Sequence, residues 1–330
     1  MKREEFDFFK KNGYCLEPKI LQMEVTNKCP LNCPQCYKER HERDIALNVA
    51  SEIIREAKKN GIKVIMLNGG ETILHKNFFE IAKQVENLGM QAVCFCSGIG
   101  ITQNVVEKLK KLKIKLYISL NGSNEQINEK SREGFCYAMK AIQLFEKNNY
   151  SYGINWVARH DNTFDFETLV EMYKDTMCNE ISVEMNKVTE NNTLVSELDE
   201  KDFQILAEVI RCNNNFVTVQ TCFHQLGRIA CRWSISRLYG CSAGIYSAFV
   251  SMDKKYAPCS HFTMFEKFDS LEEYWKKSEV LVKLRETDII NNGICKMCCN
   301  KCRPCIAINP TFRLNYLKGL QQCVLFKKSE

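Results

Sequence analysis

The feature that most constrains this chain is a regular alternation of short apolar runs with amphipathic stripes over its first two-thirds. Strand-like runs fall at 21–27, 63–68, 92–96, 115–120, 152–158 and 181–188. Between them lie helical stripes: Ala50, Ile53, Ile54 and Ala57; Phe78, Ile81, Ala82, Val85 and Leu88; Val105, Leu109 and Leu112; Ala138, Ile142 and Phe145; and a helix over 164–176. Apolar residues at i, i+3, i+4 and i+7 mark one buried face of a helix. Gly61 and Gly89 follow two of the stripes and read as helix stops. Six strand–helix units of this length imply a parallel sheet with helices outside, opening flat or curling toward a barrel. In either case functional residues gather at the C-terminal ends of the strands. Cys29–Cys36, Gly69–Glu71, Ser97–Gly98, Ser119–Gly122 and Arg159–Asn162 each follow a strand, so they are expected on one rim.

Cysteine content is the second constraint. The 330-residue chain has 19 cysteines, no run of 18 apolar residues and a charged N-terminus without an apolar signal core. These features predict a cytoplasmic protein without a membrane segment, where disulfides are rare and metal thiolates are the better account of the cysteines. Three cysteines sit between Cys29 and Cys36, ten between Cys222 and Cys323, and six are scattered. From Asn214 onward there are 17 Lys+Arg against 9 Asp+Glu, a local excess of cation in a chain of net charge +6. No proline lies between Pro34 and Pro258. We therefore expect two domains, 1–213 regular and 214–330 cysteine-rich, basic and irregular.

In Cys29-Pro-Leu-Asn-Cys33-Pro-Gln-Cys36-Tyr37, three thiols share one loop after the first strand. Three thiolates can hold three corners of a cubic iron–sulfur cluster and leave the fourth iron open. An open coordination position is what a catalytic metal needs. A zinc knuckle is the alternative, with His41 the nearest histidine.

The motif resembles the CxxxCxxC signature of the radical SAM superfamily, with Tyr37 as its adjacent aromatic. That resemblance, over roughly residues 20–190, implies a partial (β/α)6 TIM-like barrel. It implies a [4Fe–4S] cluster on Cys29, Cys33 and Cys36, whose open iron chelates S-adenosylmethionine and splits it to a 5′-deoxyadenosyl radical. Gly69-Gly70-Glu71 resembles the GGE motif that binds the methionine amino group. Ser97, Ser119 and Asn121 stand where members contact the cofactor; Asn121 replaces the acid of an SLDG stretch. Arg132 is placed to reach the methionine carboxylate and Asn155 the adenine, while Met185 reads as core.

The later cysteines are similar in layout to the SPASM extension, with departures: Lys254 stands at a glycine position, Cys299 is extra, and the central spacings are compressed. By resemblance, this C-terminal iron–sulfur domain holds two auxiliary [4Fe–4S] clusters. The first would use Cys241, Cys259, Cys305 and either Cys231 or Cys222. The second would use Cys295, Cys298, Cys302 and Cys323, with Cys299 a substitute. Cys94, Cys96, Cys136 and Cys178 read instead as small buried hydrophobes, and Cys15 and Cys212 are unassigned.

The resemblance implies an oxidoreductase that modifies a ribosomally made peptide or protein by cross-linking, dehydrogenation or epimerisation. Its electron donor would be a flavodoxin or ferredoxin. About twenty residues precede the first strand, too few for a leader-binding domain, so leader recognition falls to the core or to a separate partner protein. Two alternatives stand beside it: a dehydrogenase of a small molecule (or a maturase oxidising a protein cysteine or serine), and a zinc-binding nucleic-acid adaptor. His160 and Asp161 could do acid–base work on the substrate side, or Asp161-Asn162 could simply form a turn. His261, beside Cys259, reads as a support to that ligand or as an exposed residue.

Overall fold

The computed structural model describes residues 3–38, 42–187, 198–230, 240–262, 264–286, 296–297, 303–305 and 307. Cys231, Cys295, Cys298, Cys299, Cys302 and Cys323 lie outside the described residues.

The six expected strands are present: β1 (Ile20–Thr26), β2 (Val64–Gly69), β3 (Gln91–Cys96), β4 (Ile114–Ser119), β5 (Tyr152–Ala158) and β6 (Cys178–Met185). They pair in chain order, all parallel. Their alternation decides which side chains reach the lumen. On β1, Leu21, Met23 and Val25 are at most 1% exposed and belong to the main core with the helix residues Ile53, Ile54 and Ala57, whereas Gln22 lines the central cavity. Side chains from every further strand join it there, among them Met66, Phe95, Ser119, Asn155 and Met185. β5 is buried along all seven residues, as a strand covered on both faces should be.

The helices answer to the expected stripes. Leu47–Lys59 buries Ala50, Ile53, Ile54 and Ala57, and Phe78–Asn87 buries Phe78, Ile81, Ala82 and Val85. Gly61 and Gly89 end them with φ of 70° each, a conformation glycine adopts without a Cβ penalty. One stripe is shifted. Thr102 caps the helix Gln103–Leu109, and Val106 and Leu109 are its buried residues, with Val105 and Leu112 only partly covered. β6 begins three residues before the expected start, and the 164–176 segment is a short 3-10 turn followed by the helix Phe166–Tyr173.

The sheet does not stop at residue 213. β7 (Val217–Val219) adds parallel to β6, and β8 (Ser247–Val250) adds parallel to β1. β9 (Lys255–Ala257) and β10 (Glu266–Lys267) continue antiparallel beyond β8. The order is β10-β9-β8-β1-β2-β3-β4-β5-β6-β7, an open barrel wall rather than a closed one. The region after 214 is thus less irregular than its composition implies, and it also carries the helices Leu271–Lys277 and Glu279–Glu286. Its strands bring Cys259 and the residues around it to the β1 side of the lumen.

Candidate active site

One cavity of about 340 Å³ opens at the C-terminal ends of the strands. Its walls hold Cys29, Cys33 and Cys36 from the loop after β1, Glu71 after β2, Ser97 after β3, Ser119 on β4, and Asn155 on β5. Arg132 joins them from the loop that follows β4.

Backbone pairing delivers Cys29 to Glu71. Gly70 N–H donates to Thr26 O at 2.8 Å and Glu71 N–H to Lys28 O at 2.8 Å, carrying the β1–β2 ladder past the strand ends. A Cβ on Gly70 would stand 2.2 Å from Lys28 O and 3.0 Å from Cys29 Cβ. Only a residue without a side chain lets the two loops touch.

Glu71 is buried, and one of its oxygens is fully used. Oε2 accepts from Ser97 N–H at 2.8 Å and from the Ser97 hydroxyl. Oε1 is buried with no partner, and so are Arg132 Nε and Asn155 Oδ1. Burial pushes the Glu71 carboxyl up to about 7, against the Ser97 hydrogen bonds and the Arg132 charge, which lower it. A carboxylate oxygen, a guanidinium N–H and an amide oxygen are therefore buried without partners around one cavity, and orphaned buried polar groups are costly unless something binds them. A zwitterionic amino acid supplies the missing ammonium for Glu71 and the missing carboxylate for Arg132. The residues fit S-adenosylmethionine on these grounds.

The same cavity is also lined by Cys222, Cys241, Cys259 and Cys305. Cys222 follows β7, Cys259 follows β9, and Cys241 N–H donates to Arg303 O at 3.1 Å, which ties the last two cysteine segments together. Burial pushes the Cys222 and Cys259 thiols up to about 12, and each is pushed further by the charge of Cys241. Among the described residues, the trio of His, Cys, Asp or Glu donors lying within 4.8 Å of one another is His160, Asp199 and Asp202, and no three of the cavity thiols crowd that closely.

Tyr37 joins two of the loops that line the cavity. Its ring stacks on His261 at 3.8 Å between centroids, and its hydroxyl donates to Ser260 Oγ at 3.2 Å. His261 is thus neither exposed nor incidental. Met185, read as core, lines the lumen as well as being buried.

Three expectations are corrected. Asn121 does not line the cavity. Fully buried, it donates to Gln35 Oε1 and Ser131 Oγ, each at 2.8 Å, and accepts from Val157 N–H at 3.1 Å, so all its polar capacity toward the barrel rim is spent bracing loops. His160 and Asp161 are also outside it: His160 Nδ1 pairs with Asp202 Oδ2 at 2.7 Å, and Asp161 takes a bidentate pair from Arg159. Cys136 is exposed, whereas Cys94, Cys96 and Cys178 are buried as expected. The cavity also holds groups not singled out from the sequence: Lys38, Glu184 and Lys187.

An open parallel barrel with three thiols on its first loop and a zwitterion cradle beside them defines a class. Residues 23–173 match the family described as Radical SAM superfamily, and the chain carries a radical SAM domain. That family implies a [4Fe–4S] cluster and S-adenosylmethionine. Along nearly its whole length the chain is 23% identical, over 318 residues, to an AdoMet-dependent heme synthase of Methanosarcina barkeri, covering 87% of this chain and 91% of that protein. In architecture it is similar to Streptococcus suis SuiB bound to S-adenosylmethionine (TM-score 0.78, 18% identity, 98% of this chain and 80% of SuiB). It is also similar to anSMEcpe with bound AdoMet (TM-score 0.61, 16% identity, 81% of this chain and 83% of that one). SuiB has further been crystallised with its precursor peptide SuiA. Among the described residues, no helix is long and apolar enough to cross a membrane.

Proposed function

We propose that the chain is a radical SAM peptide maturase, using 5′-deoxyadenosyl chemistry on a ribosomally made peptide or protein. The observation that carries this reading is a single cavity lined by two thiol sets: Cys29, Cys33 and Cys36 beside the zwitterion cradle, and Cys222, Cys241, Cys259 and Cys305. The fold shared with SuiB, which binds a precursor peptide, supports it.

Cys29, Cys33 and Cys36 would hold a [4Fe–4S] cluster that, when bound, supplies the electron for cleaving S-adenosylmethionine. Glu71 Oε1 accepts from the ammonium, Arg132 pairs with the carboxylate, and Asn155 and Ser119 fix the nucleoside. Ser97 holds Glu71 in place. The surrounding barrel would keep water and stray hydrogen donors away from a radical that attacks whatever is near. The second thiol set would hold an auxiliary cluster, with Cys222 as the fourth ligand. Its region, 214–330, is the SPASM-like part. The other auxiliary ligands, the electron donor and any leader-binding partner remain part of the same reading.

The test is anaerobic reconstitution with iron and sulfide, then incubation with S-adenosylmethionine, dithionite and candidate precursor peptides. The expected results are 5′-deoxyadenosine, a changed peptide mass and more iron than one cluster per chain. A C29A/C33A/C36A variant that still makes deoxyadenosine overturns the assignment. A second reading, a tetrapyrrole substrate, is favoured by the full-length alignment with the heme synthase. Turnover of a tetrapyrrole with no peptide modification would select it.

A further inference from the structure

Lys187 is 7% exposed and lies two residues past β6, on the cavity wall that also holds Cys222, Cys241 and Cys305. Its Nζ contacts Glu184 Oε1, three residues earlier at the end of β6. The same oxygen lies 3.9 Å from Cys222 Sγ. A lysine ammonium and a glutamate thus meet a thiol in a desolvated place, where an unpaired charge of either sign is costly.

We propose that Lys187 is the charge-compensating residue of the auxiliary thiol site, and that Glu184 is its positioning residue. This rests on the auxiliary-cluster reading above. Four thiolates make such a cluster anionic, and taking up an electron makes it more so. A fixed cation beside one thiolate favours the reduced form, and so raises the reduction potential, by the same route as hydrogen bonds to cluster sulfurs. Glu184 has two opposing effects: it holds the ammonium in place, and its own negative charge disfavours reduction. That opposition makes the proposal distinguishable from a merely structural salt bridge.

The experiment is an EPR-monitored redox titration of the reconstituted holoenzyme. Lys187→Met is expected to shift the auxiliary signal to more negative potential by tenfold or more in the one-electron equilibrium, about 59 mV. Glu184→Gln is expected to shift it the other way, and Lys187→Arg to leave it near the wild-type value. Loss of the auxiliary cluster in Lys187→Met with retention in Lys187→Arg also supports the charge requirement. Loss in both, unmoved potentials, or shifts of the same sign in Lys187→Met and Glu184→Gln overturn it. Two clusters with unmoved potentials reject this inference alone, whereas a wild-type protein with one cluster rejects the auxiliary site itself.

Discussion

The ring of Tyr37 lies on the imidazole of His261 with centroids 3.8 Å apart and planes 29° from parallel. Tyr37 follows Cys36 and His261 stands two residues after Cys259, so the two thiol-bearing loops touch through this stack, 224 positions apart in the chain. Lys38 Nζ sits 5.6 Å from the same ring and 5.3 Å from that of Phe249, and pairs with Glu24 at 2.9 Å, which fixes the loop from behind.

The stack should hold the 258–262 segment in place. Tyr37→Phe keeps the ring and loses the hydroxyl bond to Ser260; Tyr37→Leu loses the ring as well. An aromatic pair is worth about 1 kcal/mol beyond its buried area. Amide hydrogen exchange of that segment should then quicken roughly fivefold in Tyr37→Leu and much less in Tyr37→Phe. Equal protection in all three proteins would show that the stack carries no energy.

Glu71 supports a sharper prediction. Its free Oε1 is an acceptor awaiting a cation, and a hydrogen bond to a charged group is worth about 1.5–3 kcal/mol. Glu71→Gln keeps the size and one acceptor but loses the charge. Binding of S-adenosylmethionine, read by equilibrium dialysis against the reconstituted protein, should weaken by about 10- to 100-fold. Affinity within twofold of wild type would remove Glu71 from the cradle.

Gly70 tests the loop contact. Adding a methyl 2.2 Å from Lys28 O forces backbone to move rather than a flexible side-chain tip. Overpacking of this kind costs about 1–3 kcal/mol. Gly70→Ala should lower the denaturation midpoint and reduce iron retention, because the displaced residue adjoins Cys29. Unchanged iron content with an unchanged midpoint would mean the loops can separate freely.

The parts of this arrangement legible in the chain are those set by local period. Ile53, Ile54 and Ala57 repeat at helical spacing because one helix face meets the sheet, and burial follows that spacing whatever the partner. The Cys29–Cys36 and Gly69–Glu71 motifs are equally local: each is one loop after one strand. What could not be read depends on partners far away. β8 is four residues long and exists because β1 offers it an edge. Asn121 resembles a ligand contact by its place after β4, yet Gln35, 86 positions back, occupies its amide. Cys222 and Cys231 stood level from spacing alone, and only β7, by pairing with β6, sets Cys222 on the cavity wall. Lys187 and Glu184 carried no motif at all. Their signal, a Glu and a Lys three apart at the end of a barrel strand, is ordinary on a surface and informative only once it is buried.

His160 and Asp202 give the pH prediction. The imidazole of His160 is held above its ordinary value, first by its hydrogen bond to Asp202 and then by that residue's charge. Asp202 is buried, which would raise it, but bonds from Thr163 and His160 hold it below the usual carboxylate range. A histidine whose folded value is raised contributes stability that is complete below its unfolded value near 6.5 and is lost as pH rises through the folded value. The aspartate's contribution runs the other way, complete above its unfolded value near 3.9 and lost as pH falls through the lower folded one. The pair is therefore at full strength between about pH 4 and 6.5. His160→Gln should be less stable than wild type in that window, by urea midpoint, and the gap should narrow as pH climbs above 6.5. The imidazole is exposed, so the gap should also shrink in high salt. A difference between the two proteins that stays constant from pH 5 to pH 9 would show that the ion pair contributes nothing and that His160 matters only by its shape.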